Sequence, residues 1–181
     1  MKINQPLVKV PAKFGVFGAV MVIAMFLLFY FSGSNPLIEM GMFDFFIIPI
    51  FLFFGIKEFK DSYNRRTLEF WQGMTAGFVV YITVAIISSV FIFMFLSFTD
   101  GDIMDNYIAD RLAILEEKRE AIIEEMGEPT YAESETEIKS ITPIDIVFDN
   151  FLKKTFVGLL LTIMIAVIMR KKPVDENQSE G

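Results

Sequence analysis

The sequence predicts an all-α membrane protein: four transmembrane helices, with a helical extracytoplasmic insert between helices three and four. Three observations lead there. Residues 73–98 run for twenty-six positions without a charged side chain, and about 20 apolar residues suffice to cross a hydrocarbon core of roughly 30 Å as a helix. Further long apolar stretches lie before and after it. Charge is also segregated along the chain: Lys57, Lys60, Arg65 and Arg66 precede the long stretch, whereas Asp100, Asp102 and Asp105 follow it. Basic residues stay on the cytoplasmic side, so this span runs from inside to outside and assigns a side to every other segment.

Composition narrows the chemistry. With 54% hydrophobic and 15% aromatic residues and a mean hydropathy of +0.50, the chain is too apolar for an ordinary soluble domain. It has no His and no Cys. The usual metal ligands, thiol nucleophiles, disulfides and near-neutral general bases are thereby removed. No catalytic residue, metal or cofactor is expected. Nucleic acid is not an expected partner either, because no basic patch with interleaved aromatics occurs outside the membrane-flanking clusters.

The elements follow in order. Residues 1–13 read as a short cytoplasmic tail with Lys2, Lys9 and Lys13, in which Pro6 and Pro11 discourage helix. Residues 14–31 form the first span. Their eighteen uncharged positions exceed the 7–15 residues of a signal-peptide core, so the helix is read as retained. Asn35-Pro36 supplies an N-cap followed by proline at the first helical position. The second span, residues 37–56, carries Glu39, Asp44 and Pro49, and Pro49 should kink it. Residues 57–66 are a basic cytoplasmic connection. Thr67 can cap the third helix, with Glu69 in its first turn and Trp71 near the inner interface.

The insert, residues 99–150, is the one sizeable segment outside the membrane. Counted to Lys154, it holds fifteen acids against six bases. Residues 102–126 read as one helix capped by Asp102, with Met104, Ile108, Leu112, Leu115, Ile122 and Met126 along one face. Gly127 and Pro129 stop it. Residues 128–140 have little apolar content and read as a mobile loop. Thr142-Pro143-Ile144-Asp145 starts the last helix, whose first turns should stand as a stalk. Packing of the insert against Ile144, Val147, Phe148 and Phe151 of that stalk is expected. The fourth span is read as residues 151–172, with Lys153 and Lys154 snorkelling outward and Arg170, Lys171 and Lys172 anchoring the inner end. Residues 173–181 are a polar cytoplasmic tail, read as disordered. Both termini are therefore cytoplasmic. Ten of the sixteen bases lie inside, and all but six of the 23 acids lie outside.

Two sets of residues are candidates for more than packing into lipid. Asp44 is an ionisable group within a span, which is costly and raises a functional hypothesis by default. The simplest reading leaves it in water at headgroup level. A second pairs it with Lys153 or Lys154, holding helices two and four together, and a third makes it an ion or proton relay. Gly73 and Gly77, like Gly15 and Ala19, have the small-xxx-small spacing that lets helices approach closely. Packing within the chain is the plain reading of these pairs, and homodimerisation is the alternative. The row Glu116, Glu120 and Glu124 reads as solvated charge, although a divalent cation could relieve its self-repulsion.

Several motifs together resemble one family, the small bacterial membrane proteins grouped as domain of unknown function 4199. They are Lys13-Phe14-Gly15, the run Phe54-Gly55-Ile56-Lys57-Glu58-Phe59-Lys60-Asp61, then Phe70 and Gly77, and finally Val157-Gly158-Leu159-Leu160 leading to Met169-Arg170-Lys171-Lys172. The acidic helical insert is similar as well. Trp71-Gln72, where members often carry a small or basic residue, and Phe156, where proline is common, depart from the pattern. The resemblance implies a multi-pass protein of the bacterial cytoplasmic (inner) membrane and brings no known activity or catalytic residue.

The role expected from all of this is non-enzymatic: an interaction or accessory component embedded in the lipid bilayer, partnered by a second copy or by another membrane or periplasmic protein. The alternative is a subunit of a small oligomeric transporter or channel. Within the spans the polar residues besides Asp44 are Thr75, Thr83, Ser88, Ser89 and Thr162, which is sparse for a permeation route. An enzyme would have to use outer carboxylates alone.

Overall fold

The computed structural model describes residues 5–99 and 101–171, apart from the side chain of Met40. The expectations for residues 1–4, Asp100, Lys172 and the tail 173–181 lie outside the described residues. Seven α-helices follow one another within them: α1 (Gln5–Phe31), α2 (Pro36–Glu58), α3 (Phe70–Phe98), α4 (Asp102–Glu117), α5 (Arg119–Met126), α6 (Glu128–Lys139) and α7 (Pro143–Met169). Among the described residues there is no strand, only an antiparallel bridge between Leu68 and Lys171. Three helices, α1, α3 and α7, are long and apolar enough to cross a membrane.

The bundle is built around α3. It packs against α1 on one side and α7 on the other, and α2 touches all three. Val22 and Phe26 of α1, Ile48 and Leu52 of α2, and Val80, Val84 and Ile92 of α3 are buried between them. Phe26 stands edge-on to Phe91 and Phe95, at centroid distances of 5.5 and 5.0 Å, the geometry that aromatic quadrupoles favour. The outward faces are apolar too: Phe17, Phe46, Ile86, Met164 and Ile168 are all exposed. Apolar patches of that extent on a folded surface mark contact with lipid or with protein.

At the basic end of the bundle a second cluster buries Leu7, Ile56, Phe59, Leu68, Ala76 and Met169. It corrects the reading of residues 1–13 as a tail. The helix α1 begins at Gln5 and runs through Pro11, because burying Leu7 outweighs the one backbone hydrogen bond that the proline removes. A π turn, Phe59–Tyr63, extends α2. Beyond it Arg65 and Arg66 both take left-handed φ values, 51° and 58°, which is unfavourable for side-chain-bearing residues. The reversal is held by the Arg66 N–H to the Lys60 carbonyl at 3.0 Å and by the paired bonds between Leu68 and Lys171 at 2.8 and 2.9 Å. Lys60 Nζ also donates to the Met169 carbonyl at 3.0 Å, capping the C-terminus of α7 with a cation, where the helix dipole favours one.

Helix starts follow capping chemistry, with a correction at α3. The Asn35 side chain accepts from the Leu37 N–H at 3.1 Å, with Pro36 at the first helical position. Its amide also reaches the Ile103 carbonyl on α4 at 3.5 Å. Thr142 and Asp145 form a capping box for α7. Thr67, in contrast, does not cap α3. Its hydroxyl donates to the Asn64 carbonyl at 2.8 Å, shaping the turn, and Glu69 is the cap, forming a box with Gln72.

The acidic segment departs most from expectation. The single helix 102–126 is interrupted at Lys118, which separates α4 from α5, and Gly101 rather than Asp102 is the N-cap of α4. Residues 128–140 are not a loop, because Glu128–Lys139 is the helix α6. Gly127 makes the reversal before it at φ 87°, a value that glycine adopts without strain. Pro129 then starts α6, and Lys139 pairs with Glu135 at 2.5 Å in the last turn. Half-buried Tyr131 and Ile138, two turns apart, are its contact face. The hydroxyl of Tyr131 donates to Glu116 Oε2 at 2.5 Å, and the Arg119 guanidinium lies 5.4 Å from the ring centroid. Of the expected stripe on α4, Leu115 is buried and Met104 packs against the bundle core, as does Val147 of the expected stalk, but the face turned to the bundle also takes in residues one position earlier. Ile103 and Tyr107 are buried, with Ile146 of α7 in the same cluster, while Ile144 and Phe148 are exposed.

Candidate functional site

The interface of α3 with α7 places the charged site. In an antiparallel pair, a step of four on one helix is matched by a step of minus four on the other. Gly73 lies against Ala166, Gly77 against Thr162, and Tyr81 against Gly158. The Leu68–Lys171 bridge sits in the same register. Lipid tails are as apolar as leucine, so close van der Waals packing through small residues is what holds such helices together. A Cβ built at Gly73 would stand 2.8 Å from the Cβ of Ala166, and one at Gly158 would stand 2.5 Å from the Cβ of Tyr81. Gly15 meets Thr83 of α3 in the same way, at 2.6 Å, and Ala19 is fully buried. The Gly73 and Gly77 face is thus filled by α7 of the same chain, and a second copy would have to use another surface.

One further step along this register brings Ala85 opposite Lys154. Lys154 lies inside the bundle, 2% exposed. Its ammonium is 2.5 Å from Asp44 Oδ2 on α2 and donates to Asn150 one turn earlier on α7. Asp44 is 8% exposed. Headgroup water is therefore not its environment, which overturns the simplest reading of that residue. Lys153 turns outward and pairs with Asp149 at 2.5 Å, so only one of the two adjacent lysines enters the bundle. Lys154 does not snorkel, because a carboxylate and an amide oxygen meet it where it stands.

Such a pair is strongly directional in its consequences. Each buried charge is tolerable only because the other is there, and removing one partner leaves an uncompensated ion at a cost of about 3–5 kcal/mol. The pair ties α2 to α7. Among the described residues, Asp44 Oδ1, Ser89 Oγ, Thr155 Oγ1 and Thr162 Oγ1 are buried without a hydrogen-bond partner. A carboxylate oxygen without a donor at such depth is costly. Asn150 and Gly158 were not among the candidate site residues; the signal for Asn150 was an i, i+4 spacing to Lys154, and Gly158 stood only within the Val157-Gly158-Leu159-Leu160 motif.

Outside the bundle the row Glu116, Glu120 and Glu124 is partly occupied. Glu116 lies 3.7 Å from the Arg119 guanidinium and accepts from Tyr131. Among the described residues no group of three acids converges to hold a metal ion.

An all-helical bundle with three membrane-length apolar helices and charges neutralised within it has the build of a membrane-embedded protein. A family model described as "Protein of unknown function (DUF4199)" matches residues 13–171, and the chain belongs to that family. Comparison with curated proteins and with solved structures gives no match.

Proposed function

We propose that the chain is a four-span protein of the bacterial cytoplasmic membrane, with both termini inside, α2 as the second span and α4–α6 standing outside. Its role is to present that outer helical subdomain to a protein partner, as a non-enzymatic accessory component. The observation carrying this is the exposure of Met126 at the end of α5 and of Ile144 and Phe148 in the first turns of α7, at 66%, 57% and 61%, beside the acidic helices. Apolar side chains in that setting favour a protein surface. The Asp44–Lys154 pair supports the same role by fixing α2 against α7, giving the subdomain a rigid base.

A photoreactive residue at Phe148 or Met126, used in native membranes, tests the partner. A reproducible crosslinked protein is the expected outcome, and crosslinks to lipid alone would overturn it. Sidedness is tested separately. The chain has no cysteine, so Ser62→Cys should be labelled only from the cytoplasmic side and Ser134→Cys only from outside.

The unpartnered polar atoms along the bundle favour a second reading, a subunit of a small transporter that assembles as an oligomer. Ion or proton flux in liposomes, abolished by Asp44→Asn, would establish that reading over the first.

A further inference from the structure

A recess of about 140 Å³ opens between α2, α4 and α7, where the apolar bundle meets the acidic helices. Its lining includes Leu37, Ile38, Gly41, Ile114 and Ile146. A Cβ at Gly41 would meet nothing within 4 Å, so the space there is open. The rim carries both signs of charge: Arg111 from α4, and Lys153 with Asp149 from α7. Arg111 rests near the Tyr107 ring, 5.9 Å from its centroid, and among the described residues it forms no ion pair.

We propose that this recess binds the head group of a zwitterionic phospholipid of the ethanolamine type. Arg111 and Lys153 take the phosphate, since cations on a rigid fork and a flexible stem suit its oxygens. Asp149, which pairs with Lys153 at 2.5 Å in the lipid-free chain, exchanges that partner for the primary ammonium, whose N–H groups can donate to a carboxylate, as Lys153 turns to the phosphate. The volume is below that of a pocket for a drug-sized molecule, so it admits a head group and leaves the acyl chains outside, along exposed Ile38, Met42 and Phe46. Charge selects among lipids. The surrounding segment carries fifteen acids against six bases, which repels a head group with net negative charge. A trimethylammonium group is bulkier and has no N–H to offer Asp149. The site requires only that the bundle be embedded in a bilayer, and it stands whether or not α4–α6 recruits a protein partner.

The test uses the full-length protein, delipidated in mild detergent and incubated with short-chain phosphatidylethanolamine, phosphatidylglycerol or phosphatidylcholine, with retained lipid read by native mass spectrometry. Phosphatidylethanolamine should be held about tenfold more tightly than either competitor, equivalent to about 1.4 kcal/mol. Gly41→Phe, which puts a bulky ring into the recess lining, and Arg111→Ala should each remove that preference, while Ile168→Leu, exposed at the far end of α7, should leave it. Asp149→Asn should reverse it in favour of phosphatidylglycerol, an outcome that misfolding would not produce. Equal retention of the three lipids by the natural chain, or an unchanged preference in Asp149→Asn, would overturn the proposal.

Discussion

Gly158 of α7 lies directly against Tyr81 of α3, so close that a Cβ on the glycine would stand 2.5 Å from both Cβ and Cγ of the tyrosine. Those are the near atoms of the side chain and cannot swing away. Alanine in place of a helical glycine usually gains up to about 1 kcal/mol in propensity, but overpacking costs typically about 1–3 kcal/mol. Gly158→Ala should therefore lower stability, and Gly77→Leu, which overlaps Thr162, should lower it further. Unfolding in mixed detergent, followed by circular dichroism, checks the order. Equal stability of both variants and the natural chain would show that α3 and α7 do not pack in this register.

The two adjacent lysines within α7 should behave oppositely. Lys154→Met leaves Asp44 charged and buried, at a cost of about 3–5 kcal/mol. Lys153→Met loses only an exposed pair, whose worth is about 0–1 kcal/mol. A double variant, Asp44→Leu with Lys154→Met, should be less destabilised than the sum of the single changes, because it removes both charges at once. Additivity in that cycle would refute the pairing of α2 with α7 through these residues.

At the opposite end of the bundle, Lys60→Met should release the last turn of α7. The interaction of a cation with a helix C-terminus is worth about 0.3–1 kcal/mol, too little to unfold the bundle but enough to fray its end. Hydrogen exchange of the Lys171 amide, bonded to the Leu68 carbonyl at 2.9 Å, should quicken several-fold while amides in the middle of α7 stay protected.

Tyr131 offers a pH readout of how α6 docks. Its hydroxyl bond to Glu116, and the proximity of that carboxylate, hold its pKa above that of a free tyrosine, since ionisation would place a phenolate beside an acid. The sign follows: a group whose folded pKa is raised contributes its stabilisation at neutral pH and loses it as pH climbs through the raised value. Glu116→Gln should shift one tyrosine's ultraviolet titration to lower pH. An unchanged titration would mean that the α5–α6 reversal does not bring these side chains together.

Much of the architecture was legible in sequence because membrane-length apolar runs and caps are local signals. The uncharged run at residues 73–98, the Asn35-Pro36 start and the Thr142–Asp145 start need no knowledge of neighbours. Legibility failed where packing overruled a local preference. Leu7 finds a buried cluster, so helix continues back through Pro11. Tyr131 finds Glu116 and Arg119, so a polar stretch that resembles a loop is the helix α6. The candidate site was half legible. An acid at position 44 and two lysines near the end of the chain could be matched by depth, but neither its burial nor the choice between lysines could be read from composition.

The sequence by itself determined that this is a helical chain with membrane-length apolar segments and charges segregated along the chain, because hydropathy and capping act over a few residues. The tertiary structure alone decided that α3 stands at the centre, that Gly73, Gly77 and Gly158 all serve one antiparallel register, and that Lys154 rather than Lys153 meets Asp44. The physical reason is geometric. Adjacent residues on a helix point about 100° apart, so which lysine enters the bundle depends on how α7 is rotated against α3, and that rotation is set by close packing of small side chains from distant parts of the chain.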